Sequence, residues 1–354
     1  MVVEGELEID ALIRQNRAFA VYRLPSENRV HFIEQTKGSV EILPAIESLN
    51  RKNGFVIAPF LVSETCPVVL IKPDEEFTFN VPDVVASTGK NDIIFEKPPY
   101  VYQSCFKKFA QTLVDKEFKK LVLSHCTTIP RKSGFSPSTV FFRACVKYIN
   151  SFVFFFHTQQ TGTWIGSTPE ILLSGKGNQW RTVAIAGTQS LLNGRLPEFW
   201  NEQKREEQQL VVEYIRDSLL SFNIFPAEKG PYTVQAGDIA HLRTDFHFSL
   251  SCTKTLGNIL NVLHPTPAVC GLPKEKAFRF INENEGYDRR YYTGFTGRIH
   301  PEEQTDLYVN LRCMQIEENN LLLYAGGGLL ASSVMQEEWV ETENKYRTMG
   351  GVIE

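Results

Sequence analysis

Charged side chains that fall in line with apolar ones are the first candidates for chemistry in this chain. In the segment WNEQKREEQQLVVEYIRDSLLS (200–221), Val211, Tyr214, Ile215 and Ser218/Leu219 form one face at helical spacing. One turn before Val211, the same face carries Glu207. A carboxylate aligned with a buried stripe needs a partner, because burying it unpaired is costly. The residues alone favour the plainer alternative, an exposed helix start where a negative charge suits the dipole. A second helical segment, EEWVETENKYRT (337–348), places Glu338, Glu341 and Lys345 on one side at i, i+3 and i+7. Glu341 and Lys345 can form a solvated i,i+4 pair. Alternatively, Glu341 joins Glu207 to hold a hard divalent ion, which needs only one or two protein carboxylates beside water and substrate oxygens. Ala325-Gly326-Gly327-Gly328 precedes this helix, and its bare backbone suits either a tight turn or the close approach of an anion.

Two further groups lie in strand-like surroundings. Lys120 opens KLVLS, where it shares a face with Val122 and Ser124, and a solvated edge charge is the ordinary role of such a lysine. Glu170 follows Ser167-Thr168-Pro169 and precedes Ile171-Leu172-Leu173. A carboxyl beside an apolar strand can have a raised pKa and serve as an acid, although a surface turn is the commoner place for one.

The elements that must position these groups read as long runs of strand interrupted by single helices. Strands are expected at 120–128, 152–157, 163–174, 180–186, 306–316 and 321–325, and helices at about 104–118, 136–149, 200–221, 274–284 and 337–348. Residues 72–99, with four prolines, read as loop and short strand. Such an order predicts antiparallel sheets covered by helices. No GxGxxG or GxxxxGK[ST] segment is present, which removes the usual phosphate-loop signals. Length alone, 354 residues, allows two domains or one large unit. The formal charge of −4, from 37 basic and 41 acidic side chains, argues against a nucleic-acid partner. The seven scattered cysteines contain no CxxC pair, so neither a disulfide framework nor a zinc ribbon is expected. The start, MVVEGELEIDALIRQN, lacks the basic and apolar parts of a signal peptide, and no apolar run approaches membrane-spanning length. A cytoplasmic enzyme is the expectation.

Taken in order, the blocks KLVLS (120–124), GSTPEILLS (166–174), AIAGT (184–188), KREEQQLVVEYIRD (204–217), HLRT (241–244), LHPTPAVCGLPKEKAFRFI (263–281), YYTGFTG (291–297), LRCMQI (311–316), YAGGGL (324–329) and EEWVETENK (337–345) resemble the chorismate-utilising enzymes. That family includes isochorismate, salicylate and anthranilate synthases and aminodeoxychorismate synthase. The resemblance implies a single large α/β (α+β) domain over 1–354, with two stacked, mainly antiparallel sheets flanked by helices. Residues 1–100 match only at the level of the fold, and 100–350 carry the catalytic motifs. It further implies that Lys120 activates water and that Glu170 is the facing acid. Glu207 and Glu341 would hold Mg²⁺. Arg312, the Gly326 backbone and Lys345 would bind the anionic groups of chorismate, with Gly187, Thr188, His241, Ala268 and Tyr292 as further substrate neighbours.

Two positions select the activity within the resemblance. Aminodeoxychorismate synthases carry a lysine nucleophile where this chain has Ala186, and salicylate and anthranilate synthases carry a threonine where it has Ala268. The pattern is similar to that of isochorismate synthase: water attacks C2 of chorismate and the C4 hydroxyl leaves. The implied setting is menaquinone biosynthesis in a cytoplasmic monomer with no glutaminase subunit. Salicylate, siderophore-pathway and anthranilate synthases are the alternatives. Three departures, His125 after KLVLS, Gln208 after Glu207 and a longer segment without proline before Glu338, are expected to bear on rate or loop shape rather than on reaction class.

Overall fold

The computed structural model describes residues 8–83, 97–191, 194–236 and 239–353. Of the stretch 72–99, Glu75–Asn80 is a strand, and 84–96 lie outside the described residues. Two nine-stranded sheets form the body. The first runs, in spatial order, Gly271–Leu272, Lys120–Pro130, Asn320–Leu329, Cys313–Ile316, Gly162–Thr168, Phe152–Thr158, Ala18–Arg23, Arg29–Gln35 and Glu75–Asn80. The second runs Ala227–Ala236, Ile239–Ser249, Gln179–Ser190, Ile171–Lys176, Thr305–Val309, Phe295–Ile299, Gly54–Ala58, Val68–Ile71 and Glu41–Leu43. Described ladders in both sheets are antiparallel, for example Asn320–Leu329 against Lys120–Pro130 and Gln179–Ser190 against Ile239–Ser249.

The sheets stack on an apolar layer to which both contribute. Phe152, Phe154, Phe156 and Trp164 from the first meet Phe55, Ile57, Val183 and Tyr308 from the second. Phe152 and Tyr308 lie flat on one another with centroids 4.2 Å apart. The run SFVFFFH shows why its strand has no polar face. Phe152, Phe154 and Phe156 point into this layer, while Val153 and Phe155 point out toward the helix Pro137–Lys147. On the outside of the second sheet pack the helices Glu202–Leu220 and Leu256–Leu263, through Val211, Ile215, Leu219, Ile259 and Leu263. On the first sheet pack Pro137–Lys147 and Met335–Gly350, and Tyr100–Val114 and Lys274–Asn284 close its far end. The described residues among the first hundred supply three strands to each sheet.

Two expected strands are each divided. The segment 163–174 runs through the first sheet as Gly162–Thr168 and then enters the second as Ile171–Lys176. The segment 306–316 does the converse, as Thr305–Val309 and Cys313–Ile316. Both faces are buried on either side of each break, so the apolar pattern carries no mark of the change of sheet. The short peptides at the breaks carry two of the candidate groups.

Candidate active site

The two crossovers lie side by side. Val309 N–H donates to Glu170 O (2.9 Å) and Ser167 N–H to Arg312 O (3.2 Å), so each crossover holds the other in place. Pro169 prevents Glu170 from continuing the first strand, and Arg312 turns with φ +46°. Glu170 is buried, with 3% exposure rather than a surface turn, and its Oε1 accepts from Thr266 Oγ1 at 3.1 Å. Burial pushes its carboxyl up to about 7, against the hydrogen bond from Thr266 and the charges of Lys120, Arg312 and Lys345.

Arg312 is buried against His241, whose Nε2 it contacts through Nη2. His241 Nδ1 lies 3.1 Å from Gly187 O. A carbonyl only accepts, so Nδ1 carries the proton and Nε2 presents a lone pair to the guanidinium. Burial, then Arg312 and Lys345, hold the imidazole well below its usual pKa, so it stays neutral. Burial also lowers Arg312, to about 10, which leaves it charged at neutral pH. Gly187 supplies that carbonyl from a bulge in its strand between Ala186 and Thr188, with φ +67°, where a side chain would be strained.

Carboxylates and lysines collect along the strand Asn320–Leu329. Its Gly326-Gly327-Gly328 run sits within the ladder to Lys120–Pro130, rather than in a tight turn. The missing side chains are what let the charges approach. A Cβ at Gly328 would stand 2.2 Å from Glu207 Oε1 and 2.7 Å from Lys120 Cε; one at Gly327 would stand 3.3 Å from Glu338 Oε2 and 3.4 Å from Glu341 Oε1. Lys120 is fully buried, not an edge charge, with Nζ 3.1 Å from Glu207 Oε1 yet without a hydrogen-bond partner. Glu207 is 6% exposed, which overturns the plainer reading of a solvated helix start. The Glu341–Lys345 pair forms at 2.8 Å, but their side chains are only 12% and 17% exposed, so it is not a solvated pair. Lys345 Nζ also donates to Gly326 O at 2.8 Å. Lys204, three residues before Glu207 on the same helix face, donates to Glu341 Oε2 at 2.7 Å.

Burial alone would raise the Glu341 carboxyl, but Lys345 and Lys204 pull it well below the usual carboxylate range. Burial and the neighbouring Glu341 push Glu338 up to about 7. Ser333 Oγ donates to Glu338 Oε1 at 2.7 Å, and Glu338 Oε2 is buried without a partner. Among the described residues, no three acidic, His or Cys side chains already stand in metal-binding geometry. The donors nonetheless suit a hard divalent cation: Glu207, Glu338 and Glu341 offer oxygen only, and one buried oxygen is unspent.

One cavity joins most of these parts. Ten of the twelve candidate residues line it: Glu170, Gly187, Thr188, Glu207, His241, Ala268, Tyr292, Arg312, Gly326 and Lys345. Lys120 lies behind Gly328, and Glu341 faces an adjoining cavity, whose wall Thr188 shares. Ala186 lines the main cavity beside Ala268. Thr266 and Lys204 were not among the candidates. Lys204 could have been found from its i−3 spacing to Glu207, whereas Thr266 is joined to Glu170 only by the fold.

His125 and Gln208, the departures noted above, line neither cavity. His125 Nδ1 lies 2.9 Å from Tyr346 Oη, and Gln208 Nε2 donates to Ala184 O at 3.1 Å. Burial lowers the His125 imidazole to about 4.

Two stacked antiparallel sheets flanked by helices define the fold class. The solved structure of the menaquinone-specific isochorismate synthase MenF from Escherichia coli shares it, with a TM-score of 0.80 and 19% identity over 99% of this chain and 92% of that one. A family model described as chorismate binding enzyme matches residues 80–354, and the chain belongs to that family. It is 26% identical over 242 residues to isochorismate synthase EntC of Escherichia coli (strain K12), covering 66% of this chain and 62% of the relative. It is 30% identical over 240 residues to isochorismate synthase MenF of Haemophilus influenzae, covering 65% and 55%. The match thus spans less than two thirds of each of these curated relatives.

Proposed function

We propose that this chain is an isochorismate synthase, a Mg²⁺-dependent isomerase that adds water at C2 of chorismate and releases the C4 hydroxyl. One observation carries the reading. A single cavity holds a buried carboxylic acid poised near neutrality together with Glu207, Arg312 and Lys345, while Ala186 and Ala268 offer no nucleophile at their two positions. Lys120 Nζ, without a hydrogen-bond partner, takes a proton from the water that forms the new C2–O bond. The ring double bonds shift, the C4–O bond breaks, and Glu170 gives its proton to the departing hydroxyl, which leaves as water. Arg312, oriented by neutral His241, and Lys345 receive the substrate's carboxylates, beside the backbone of Gly187, Thr188 and Gly326 and the ring of Tyr292. Glu207 and Glu341 would hold Mg²⁺, which supplies positive charge against a substrate carboxylate.

The whole chain, 1–354, acts in this reading as one chorismate-binding domain, with strands of the first hundred residues in both sheets. The product is assigned to menaquinone biosynthesis. The enzyme is taken as a cytoplasmic monomer that needs no glutaminase, nucleic acid or membrane. Seven free cysteines support a reducing compartment, and no helix among the described residues is long and apolar enough to cross a membrane. Purified protein supplied with chorismate tests the reading: isochorismate should form with Mg²⁺, cease with EDTA and return when Mg²⁺ is restored. Anthranilate in the presence of ammonia, or salicylate with pyruvate, as the main product would overturn it. Restored growth of a menaquinone-requiring strain that lacks its own isochorismate synthase checks the pathway.

A further inference from the structure

Lys204 has no part in the mechanism above, yet its ammonium sits on a carboxylate assigned to the cation. Lys204 Nζ donates to Glu341 Oε2 at 2.7 Å while Lys345 Nζ donates to Oε1 at 2.8 Å, so both oxygens of Glu341 are spent on lysines. A magnesium ion must bring such an oxygen to within about 2.1 Å, so it competes directly with the ammonium placed there. The Lys204 side chain is 12% exposed, and Glu207 and Glu338 act on its charge together with Glu341. Glu207, Glu338 and Glu341 already stand among the amino groups of Lys120, Lys204 and Lys345. A divalent cation alone would add two positive charges there, and a dianion alone two negative; excess buried charge of either sign is unfavourable.

The neighbouring cavity offers the ammonium a place to go. Lys204 lines it together with Gln189, Glu337 and Asn344. Gln189 Oε1 is buried there without a hydrogen-bond partner, an acceptor waiting for a donor.

We infer that the Lys204 ammonium is the resting occupant of the divalent-cation position on Glu341, and that the cation binds by displacing it toward Gln189. The inference rests on the assignment of Glu207 and Glu341 as the cation's carboxylates. Its consequence is coupling: the cation alone binds weakly, and the dianionic substrate, by offsetting the added charge, strengthens its binding.

Mn²⁺ binding to the full chain, followed by electron paramagnetic resonance without chorismate, tests this. Removing the competing charge in Lys204→Met should tighten Mn²⁺ binding about tenfold or more. Lys204→Arg should keep the weak binding, and Glu341→Gln should abolish it. Chorismate should strengthen Mn²⁺ binding less in Lys204→Met than in the wild type. If Lys204→Met binds no more tightly while Glu341→Gln still abolishes binding, the inference fails and the carboxylate assignment survives. If Glu341→Gln binds Mn²⁺ as the wild type does, the assignment fails and takes the inference with it. Should Lys204→Met not fold, Gln189→Leu carries the test. Losing the receiving acceptor should weaken Mn²⁺ binding several-fold, and unchanged affinity there overturns the displacement.

Discussion

In the Glu285–Arg289 pair every donor is spent, whereas in the Glu207–Glu338–Glu341 cluster two buried polar atoms are not, although both press on the strand Lys120–Pro130. Arg289 donates from Nε to Glu285 Oε2 (2.6 Å), from Nη1 to Val269 O (2.8 Å) and Thr293 Oγ1 (3.4 Å), and from Nη2 to Val122 O (2.9 Å) and Glu285 Oε1 (2.7 Å). Ser124 adds its N–H and Oγ–H to Glu285 Oε1, and Phe60 stacks on the guanidinium at 4.5 Å. In the second cluster, Lys120 Nζ and Glu338 Oε2 are buried without hydrogen bonds. A closed network of buried charges holds a strand in register; an open one is a site whose remaining bonds are made to something that arrives. The first ties together the peptides around Val122 and Val269, beside Lys120 and Ala268, so the open cluster can remain open without the wall moving.

The sharpest way to break this contrast is to remove the proton-transfer groups. Lys120→Ala and Glu170→Ala should each lower kcat by roughly 10²–10⁴-fold while chorismate binding, read by calorimetry, stays within a few-fold. Near-full activity of Lys120→Ala would end its assignment as the base. In the closed cluster the loss should fall on stability instead. Arg289→Met leaves Glu285 buried and uncompensated, and should cost about 3–5 kcal/mol in urea unfolding. A cost below about 1 kcal/mol, typical of an exposed pair, would show that this network is no more structural than the other.

The glycines distinguish close approach from mere packing. Gly328→Ala places a methyl against Glu207 and Lys120, and should reduce kcat/KM roughly tenfold to a hundredfold, through a misplaced base. Gly327→Ala meets only ordinary to tight contacts with Glu338 and Glu341 and should lose a few-fold at most, by steady-state assay. The mildest expected effect is on pH. Glu170 must carry a proton to act as the acid, and burial raises its pKa to about 7, so kcat/KM should fall as pH rises through that value. Glu338 also titrates at about 7, but Glu338→Gln should keep this limb if Glu170 is its source.

The order of the motifs made the family resemblance and the two-sheet architecture legible, and ten candidates do line one cavity. What escaped has physical reasons. The strand Ile239–Ser249 alternates cleanly, with His241, Arg243, Asp245 and His247 against Leu242, Thr244, Phe246 and Phe248, yet its charged face reads as loop unless one knows that Arg312 and Gly187 meet it. The helix Leu256–Leu263 is amphipathic, with Asn258 and Asn261 opposite the buried Leu256, Ile259, Leu260 and Leu263, but at 8 residues it offers only about two turns of pattern. Glu207, in the second turn of the helix Glu202–Leu220, is buried by what faces it, here Gly328 on a strand more than a hundred residues away, which the sequence pattern does not show. Lys204 was hidden inside the run KREE, where only the fold separates a buried ammonium from a solvated one.

The central claim is that water, not ammonia or an enzyme nucleophile, enters the ring and that pyruvate stays attached. Turnover of chorismate with Mg²⁺ in H₂¹⁸O, followed by mass spectrometry, measures it directly. The account predicts isochorismate carrying one solvent oxygen at C2, with no pyruvate released. An unlabelled product, or an aromatic product formed with pyruvate, would contradict it.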